Sequence, residues 1–552
     1  MNNYQKLVLL FITSLLLGCQ QKVEKEKKPN IIVIMADDMG FSDPGFMGSG
    51  IETPNIDRLA ANGLLFNQFY NTGRCCPTRA SLLSGQYAHN TGLGWMTVSN
   101  LGEPGYTGDM NMESITIAQA LKPAGYSTYM TGKLHIIYDK FMKPEGPKHN
   151  WPLQRGFDKY YGHLSGGGGY FHPTALTYNN QAAEISEDYY LTNAVTDSTV
   201  SFLQNHFNNK KNDPFFFYVA YYAPHRPLHA LQKDVDKYRG KFMDGWDSQR
   251  QKRYKNLIEK GIIDENWILT DREKRVPEWN ELDNDEKKVW DALMAAYAAQ
   301  IDCMDQGIGK IISTLEQNGE LENTLIIFLS DNGGCAEGQG KRLSIDQVNL
   351  IGNEKPAQSY RINWANVSNT PFREYKHYTH EGGISTPLIM HWPKNIKAKG
   401  KITTQMGHVI DLMPTILEVA GAKYPEQLNG NEINSLNGKS LLSAAMGHPF
   451  DRGPLFFEHE ANRAVISGDW KLVSKGTNKA PYTSNWELFN LKDDRTETQN
   501  LALENPKKIQ ELKLLWENWA KENNVYPLDG RSWKEKIAAD SLKSQTNLNL
   551  TK

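Results

Sequence analysis

Cysteine is scarce in this chain: Cys19, Cys75, Cys76, Cys303 and Cys335 are the only five in 552 residues. Five is too few for a fold stapled together by disulfides. A bond between Cys303 and Cys335 stays open, because pairing is not readable from sequence. Net charge is nearly absent as well. The balance is −2, with 61 Lys and Arg against 63 Asp and Glu, so no overall basic field marks the chain as a nucleic-acid binder. Long apolar runs are missing: the run at residues 7–17 behind Lys6 is too short to cross a bilayer comfortably. No later stretch suits a membrane span. Nor does any G-x-G-x-x-G follow a strand pattern, and Gly166-Gly167-Gly168-Gly169 reads as a flexible loop rather than a dinucleotide fingerprint.

What is present suits a large globular enzyme. Hydrophobic residues make up 39% and aromatic residues 11%, enough for a sizeable core. The N-terminal apolar run ends in Leu16-Leu17-Gly18-Cys19, which resembles a bacterial lipobox. In that reading residues 1–18 are a signal peptide, and Cys19 is lipid-modified after cleavage. Residues 19–28, polar and rich in Lys and Glu, form a tether. The expectation is an exported lipoprotein, periplasmic or outer-membrane anchored, that meets the membrane only through its lipid.

Downstream, short apolar runs alternate with helical segments. Strands are expected at residues 30–36, 126–130, 215–221, 325–329 and 387–390. Helices are expected at residues 114–121, 291–304 and 408–419, with another beginning at Pro54. This alternation predicts an α/β fold: a large, mainly parallel or mixed sheet sandwiched by helices across residues 29–450. The charged stretch 232–288 reads as a surface insertion. From residue 451 to 525 the pattern changes to short strands and one helix, a smaller C-terminal α+β subdomain with an antiparallel sheet. Residues 526–552 read as a polar tail.

Ligands of parallel α/β sheets bind beyond the carboxyl ends of the strands, so the polar residues there are the first candidates. Residues 30–36 run into Asp37 and Asp38, and residues 325–329 run through Ser330 into Asp331 and Asn332. Three carboxylates and an amide are hard oxygen donors suited to Ca²⁺ or Mg²⁺ rather than Zn²⁺. The strand at Tyr126 leads to Lys133 and His135, two apart, whose side chains share one side if the backbone is extended. The strand at Phe215 leads to His225, held between Pro224 and Pro227. Finally, Cys75-Cys76-Pro77-Thr78-Arg79 opens a helix at Pro77. That places Cys75 by a helix N-terminus that favours anions, near the guanidinium of Arg79.

This last motif closely resembles the C-x-P-S/T-R signature of the formylglycine-dependent sulfatases of the alkaline-phosphatase superfamily. Pro77 sets the register, so Cys75 is the modified residue and Cys76 the variable one. The resemblance runs in order over residues 29–525. It implies that Cys75 is oxidised to formylglycine (3-oxoalanine) by a maturation enzyme. It implies ligation of Ca²⁺, ahead of Mg²⁺, by Asp37, Asp38, Asp331, Asn332 and modified Cys75. It also implies sulfate-binding or catalytic roles for Arg79, Lys133, His135, His225 and Lys376, the last five residues before Glu381 of a Glu-Gly-Gly element. One departure is Leu134-His135-Ile136, where many members carry Trp between Lys and His, which implies a differently shaped pocket.

The implied reaction is attack on sulfur by a hydroxyl of the hydrated aldehyde, with Asp331 as the expected proton acceptor. His225 and Lys376 would serve the leaving oxygen, and His135 would accept a proton as sulfate departs. The implied substrate is a sulfated carbohydrate, such as an algal polysaccharide of the ulvan or carrageenan type. Specificity is expected from residues 166–172, His229 and residues 373–380. Two alternatives stay open: a phosphonate or phosphodiester hydrolase of the same superfamily, or a non-catalytic glycan-binding lipoprotein.

Overall fold

The structure, a computed structural model, describes residues 27–550. The signal peptide and Cys19 lie outside the described residues. The first eleven strands that frame the site are Asn30–Ala36 (β1), Leu64–Phe66 (β2), Phe69–Tyr70 (β3), Ser127–Gly132 (β4), Lys159–His163 (β5), Leu176–Tyr178 (β6), Gln181–Ala182 (β7), Phe215–Ala220 (β8), Thr324–Ser330 (β9), Leu388–His391 (β10) and Lys401–Thr403 (β11). All but β3 join one ten-stranded mixed sheet in the order β11-β2-β10-β9-β1-β8-β4-β5-β6-β7. At its centre β9, β1, β8 and β4 run parallel, whereas β10 enters antiparallel between β9 and β2.

The central strands are largely apolar because both faces are covered. Ile32, Ile34 and Ala36 of β1 join one core with Phe217 and Phe328. Ile31, Val33 and Met35 join a second core on the opposite face, with Phe216, Leu325, Ile327 and Leu329. The helices Leu191–Asn209 and Asn284–Gln317 cover the first face. The helices Cys75–Ser84, Ile117–Leu121 and Leu412–Ala420 cover the second. A separate four-stranded antiparallel sheet is formed by Leu455–His459, Asn462–Ser467, Trp470–Ser474 and Glu487–Asn490. The helix Pro506–Glu522 packs Trp516 and Trp519 onto it.

Several features depart from the sequence reading. The helix expected at residues 291–304 is part of Asn284–Gln317, 34 residues long and opened by a capping box between Asp283 and Glu286. The charged stretch 232–288 is not merely a surface insertion. Its Trp246 packs edge-on against Trp279, Trp290 and Trp364, and buried Arg253 pairs with Asp43 at 2.8 Å. Its charges hid a buried aromatic cluster. The polar tail expected beyond Tyr526 contains a helix, Trp533–Leu550. Cys303 and Cys335 are free thiols. Cys303 Sγ lies 3.4 Å from Asn193 Oδ1, while the Cys335 amide donates to the Tyr360 hydroxyl at 3.1 Å. No helix among the described residues is long and apolar enough to cross a membrane.

Candidate active site

The carboxyl ends of the central strands are tied together by their own backbones. The Asp37 amide donates to Ala223 O at 3.0 Å, the Asp331 amide to Ala36 O at 3.1 Å and the Lys133 amide to Ala220 O at 2.8 Å. Asp37–Asp38, Lys133, His225 and Asp331–Asn332 therefore converge by construction. Asp38 takes a left-handed backbone, φ 67°. Such a conformation is uncommon outside glycine and asparagine. Its amide donates to Asp331 Oδ1 at 3.2 Å.

The charges form an interlocked set. Lys133 Nζ lies 2.6 Å from Asp37 Oδ2, and Lys376 Nζ lies 2.6 Å from Asp38 Oδ1. Arg79 donates to Asp331 Oδ2 through Nε at 3.1 Å and Nη2 at 2.7 Å. Its Nη2 is 3.4 Å from Asp37 Oδ2, and its Nη1 donates to Lys133 O at 3.0 Å. Burial pushes Asp37 up, but Lys133, His225 and Arg79 outweigh it and hold the carboxyl below its usual range. Burial and the Asp37 charge push Asp331 up to about 7. Burial, aided by Lys133, pushes His135 well below the ordinary histidine range, and burial also lowers His225.

Three buried oxygens here have no hydrogen-bond partner: Asp37 Oδ1, Asp38 Oδ2 and Asn332 Oδ1. An unpartnered buried acceptor is costly unless something else satisfies it. Ligand atoms of Asp37, Asp38 and His225 lie within 4.8 Å of one another. The hard oxygens fit a divalent cation. Asp331 differs from the others, since Arg79 and the Asp38 amide already engage both its oxygens.

Cys75 is the first residue of the helix Cys75–Ser84, not the residue before it. No side chain caps this N-terminus, so the first-turn amides and the positive end of the helix dipole suit an anion. Cys75 lines a cleft of about 390 Å³ together with His135, His225, Arg74, Glu337 and Lys376. Cys76 points elsewhere, with Sγ 3.4 Å from Trp95 O in the core.

His135 is not on extended backbone: its φ is 55°. The chain turns there, and strand alternation does not explain its pairing with Lys133. Its ring rests on Gly166, where an added Cβ would come within 2.1 Å of Nε2. The glycine run is thus partly a seat for this histidine. His225 Nδ1 is 2.5 Å from Arg226 O. That contact fixes Nδ1–H as the donor to the carbonyl, and turns Nε2 to within 3.5 Å of Asp38 Oδ2.

Of the expected specificity residues, Gly166, Gly167 and Gly168 line the cleft, as does Lys376. His229 instead packs its ring against Phe171, 5.7 Å away. Arg373 pairs with Glu487 of the C-terminal sheet, and buried His380 faces the same glutamate at 3.9 Å. Sequence reasoning missed Arg74 and Glu337, which pair at 2.5 Å, and Arg226, which meets the other Glu337 oxygen at 2.6 Å. It also missed Trp533, another lining residue. The available signals were the positions of Arg226 beside His225 and of Arg74 beside Cys75.

Known proteins resemble this chain in sequence and fold. The sulfatase family matches residues 29–422, and the N-sulphoglucosamine sulphohydrolase C-terminal family matches residues 373–523. An uncharacterized sulfatase of Schizosaccharomyces pombe is 32% identical, with 91% of this chain and 95% of that protein covered. An arylsulfatase of Klebsiella aerogenes is 31% identical, covering 78% of this chain and 94% of that one. The crystal structure of Ps i-CgsB in complex with k-i-k-neocarrahexaose superposes with a TM-score of 0.66 at 26% identity, covering 95% of this chain and 99% of that chain. The chain belongs to the sulfatase family. It is a sulfuric ester hydrolase of the alkaline-phosphatase superfamily, and sulfatases generally use a formylglycine and a divalent metal.

Proposed function

We propose that this sulfatase is an exported, calcium-dependent lipoprotein that removes sulfate from a sulfated polysaccharide or its oligosaccharides. Algal galactans of the carrageenan type, or ulvan, are the favoured substrates. The observation that carries the reading is Cys75 at an uncapped helix N-terminus, opening onto a cleft with His135, His225 and Lys376. Formylglycine at Cys75, made by a maturation enzyme, would supply a hydroxyl nucleophile from its hydrated aldehyde. Asp37, Asp38 and Asn332, with Asp331 close by, would hold Ca²⁺, which would polarise the reacting oxygens.

The side chains divide the remaining work. Arg79 and Lys133 are fixed by Asp331 and Asp37 and present positive charge without reorganising. His225, with Nδ1–H held by Arg226 O, would exchange a proton with the leaving oxygen through Nε2, which otherwise faces Asp38 Oδ2 at 3.5 Å. Lys376, beside Asp38, reinforces that step. His135 lines the cleft with an unpartnered Nδ1 and would accept a proton there as sulfate departs. A carbohydrate substrate draws support from the complex of Ps i-CgsB with k-i-k-neocarrahexaose.

The test is release of sulfate, alongside phosphate, from sulfated galactan and ulvan oligosaccharides, aryl sulfate, phosphonate monoesters and phosphodiesters. Sulfate release that falls with a chelator, and returns better with Ca²⁺ than with Mg²⁺, is expected. Faster phosphonate or phosphodiester cleavage would overturn the reading. Absence of both products from protein with modified Cys75 would point to a binding protein. Lipid anchoring is tested separately: Cys19→Ser should move the protein from the membrane fraction to the soluble one, and an unchanged distribution contradicts it.

A further inference from the structure

Beside the catalytic cleft lies a second cavity of about 260 Å³, lined by His377, Glu460, Thr477, Asn478 and Arg531. The two share Arg74, Glu337 and Trp533 as common wall. Trp533 lies ten residues beyond the end of the C-terminal family match at residue 523. It belongs to the segment that the sequence presents as a tail. The segment is nevertheless fastened to the catalytic domain. Asp540 accepts from the Tyr138 hydroxyl at 2.8 Å and from Lys140 at 3.1 Å. Lys536 reaches Glu460 at 3.3 Å and lies 4.9 Å above the Trp95 ring.

Trp533 meets Trp95 edge-to-face at 5.1 Å, yet remains 40% exposed. What sets it apart is its place: a large, partly exposed aromatic side chain held against Trp95 in the wall common to both cavities. Charge in the second cavity is internally matched. Arg74 pairs with Glu337, His377 with Glu460 at 2.7 Å and Arg531 with Asp529 at 2.7 Å. Matched charge offers fixed donors and acceptors without excess positive potential, which suits hydroxyl groups better than a second sulfate.

We propose that this second cavity binds the sugar next in the chain to the sulfated one, with Trp533 stacking against it. The enzyme is then selective for sulfated oligosaccharides over sulfated monosaccharides. The inference rests on the sulfatase reading and names the substrate length that the reading leaves open. Trp533 acts here in specificity, since it reaches no reacting atom.

The experiment compares kcat/KM on an aryl sulfate and on size-fractionated mono-, di- and tetrasaccharides from a sulfated galactan, for wild type, Trp533→Ala and Trp533→Phe. Wild type should prefer the di- and tetrasaccharide. Trp533→Ala should lose about tenfold on these, roughly 1.4 kcal/mol, mainly through KM. Its loss on the aryl ester and the monosaccharide should be several-fold smaller than on the di- and tetrasaccharide. Trp533→Phe should retain most of the preference. Equal losses on all substrates, or a wild type indifferent to chain length while it cleaves the aryl ester, overturn the inference alone. No sulfate from any ester in the wild type overturns the sulfatase reading beneath it.

Discussion

Cys75 and Cys76 are adjacent and both buried, yet their surroundings separate their roles. Cys75 opens onto the cleft, whereas Cys76 is packed against Trp95 O, and burial pushes its thiol well up. Cys75→Ala is expected to abolish sulfate release without loss of fold. Cys76→Ala should keep turnover within a few-fold and cost about 1 kcal/mol for a small cavity, which urea unfolding beside a sulfate assay resolves. The distinction was legible from the register to Pro77. Other residue roles were not. Nothing in the sequence shows that both Asp331 oxygens are engaged, or that His135 turns through a left-handed backbone onto Gly166. Those facts depend on where separate strands end relative to one another.

At the scale of elements, the Glu-Gly-Gly turn is joined to the C-terminal sheet by buried ions. Lys471 Nζ lies 2.7 Å from both Glu381 Oε1 and Glu497 Oε1, and Arg495 pairs with the other Glu381 oxygen. All four side chains are fully buried. Lys471→Met leaves the carboxylates short of a partner, so a loss of about 3–5 kcal/mol in urea unfolding is expected. Lys471→Met with Glu497→Gln should recover part of it. A single-variant cost below about 1 kcal/mol would contradict this account. Both Glu381-Gly382-Gly383 and Gly468-Asp469-Trp470-Lys471-Leu472 are visible in the sequence. That they meet is not, because a long-range ion pair leaves no local pattern. Strands buried on both faces were readable from their unbroken apolar runs. The full length of Asn284–Gln317 was not, since its first turns are charged.

At the scale of the molecule, the segment carrying Lys376 is clamped to the C-terminal sheet by Arg373 and Glu487. Burial raises Glu487, but His380 and Arg373 outweigh it and hold the carboxyl at about 2 against an ordinary value of 4.5. A depressed carboxylate contributes stability above its unfolded value, and that contribution is lost as pH falls from 4.5 toward 2. Thermal stability of wild type should therefore decline more steeply across this window than that of Glu487→Gln. Parallel slopes for the two proteins would remove Glu487 from the account. The same scale explains why the last helix reads as a tail in sequence: residues 533–541 look polar in isolation, and their partners Trp95, Tyr138 and Glu460 lie far away along the chain.

The central claim is that Cys75 becomes the nucleophile only after conversion to formylglycine. Mass spectrometry of the peptide carrying Cys75 tests it most directly, on protein produced with and without a maturation enzyme and assayed for sulfate release in the same samples. Turnover should rise in proportion to the fraction of formylglycine at position 75 and vanish where that fraction is zero. Full activity in protein whose Cys75 is an unmodified thiol would contradict the claim.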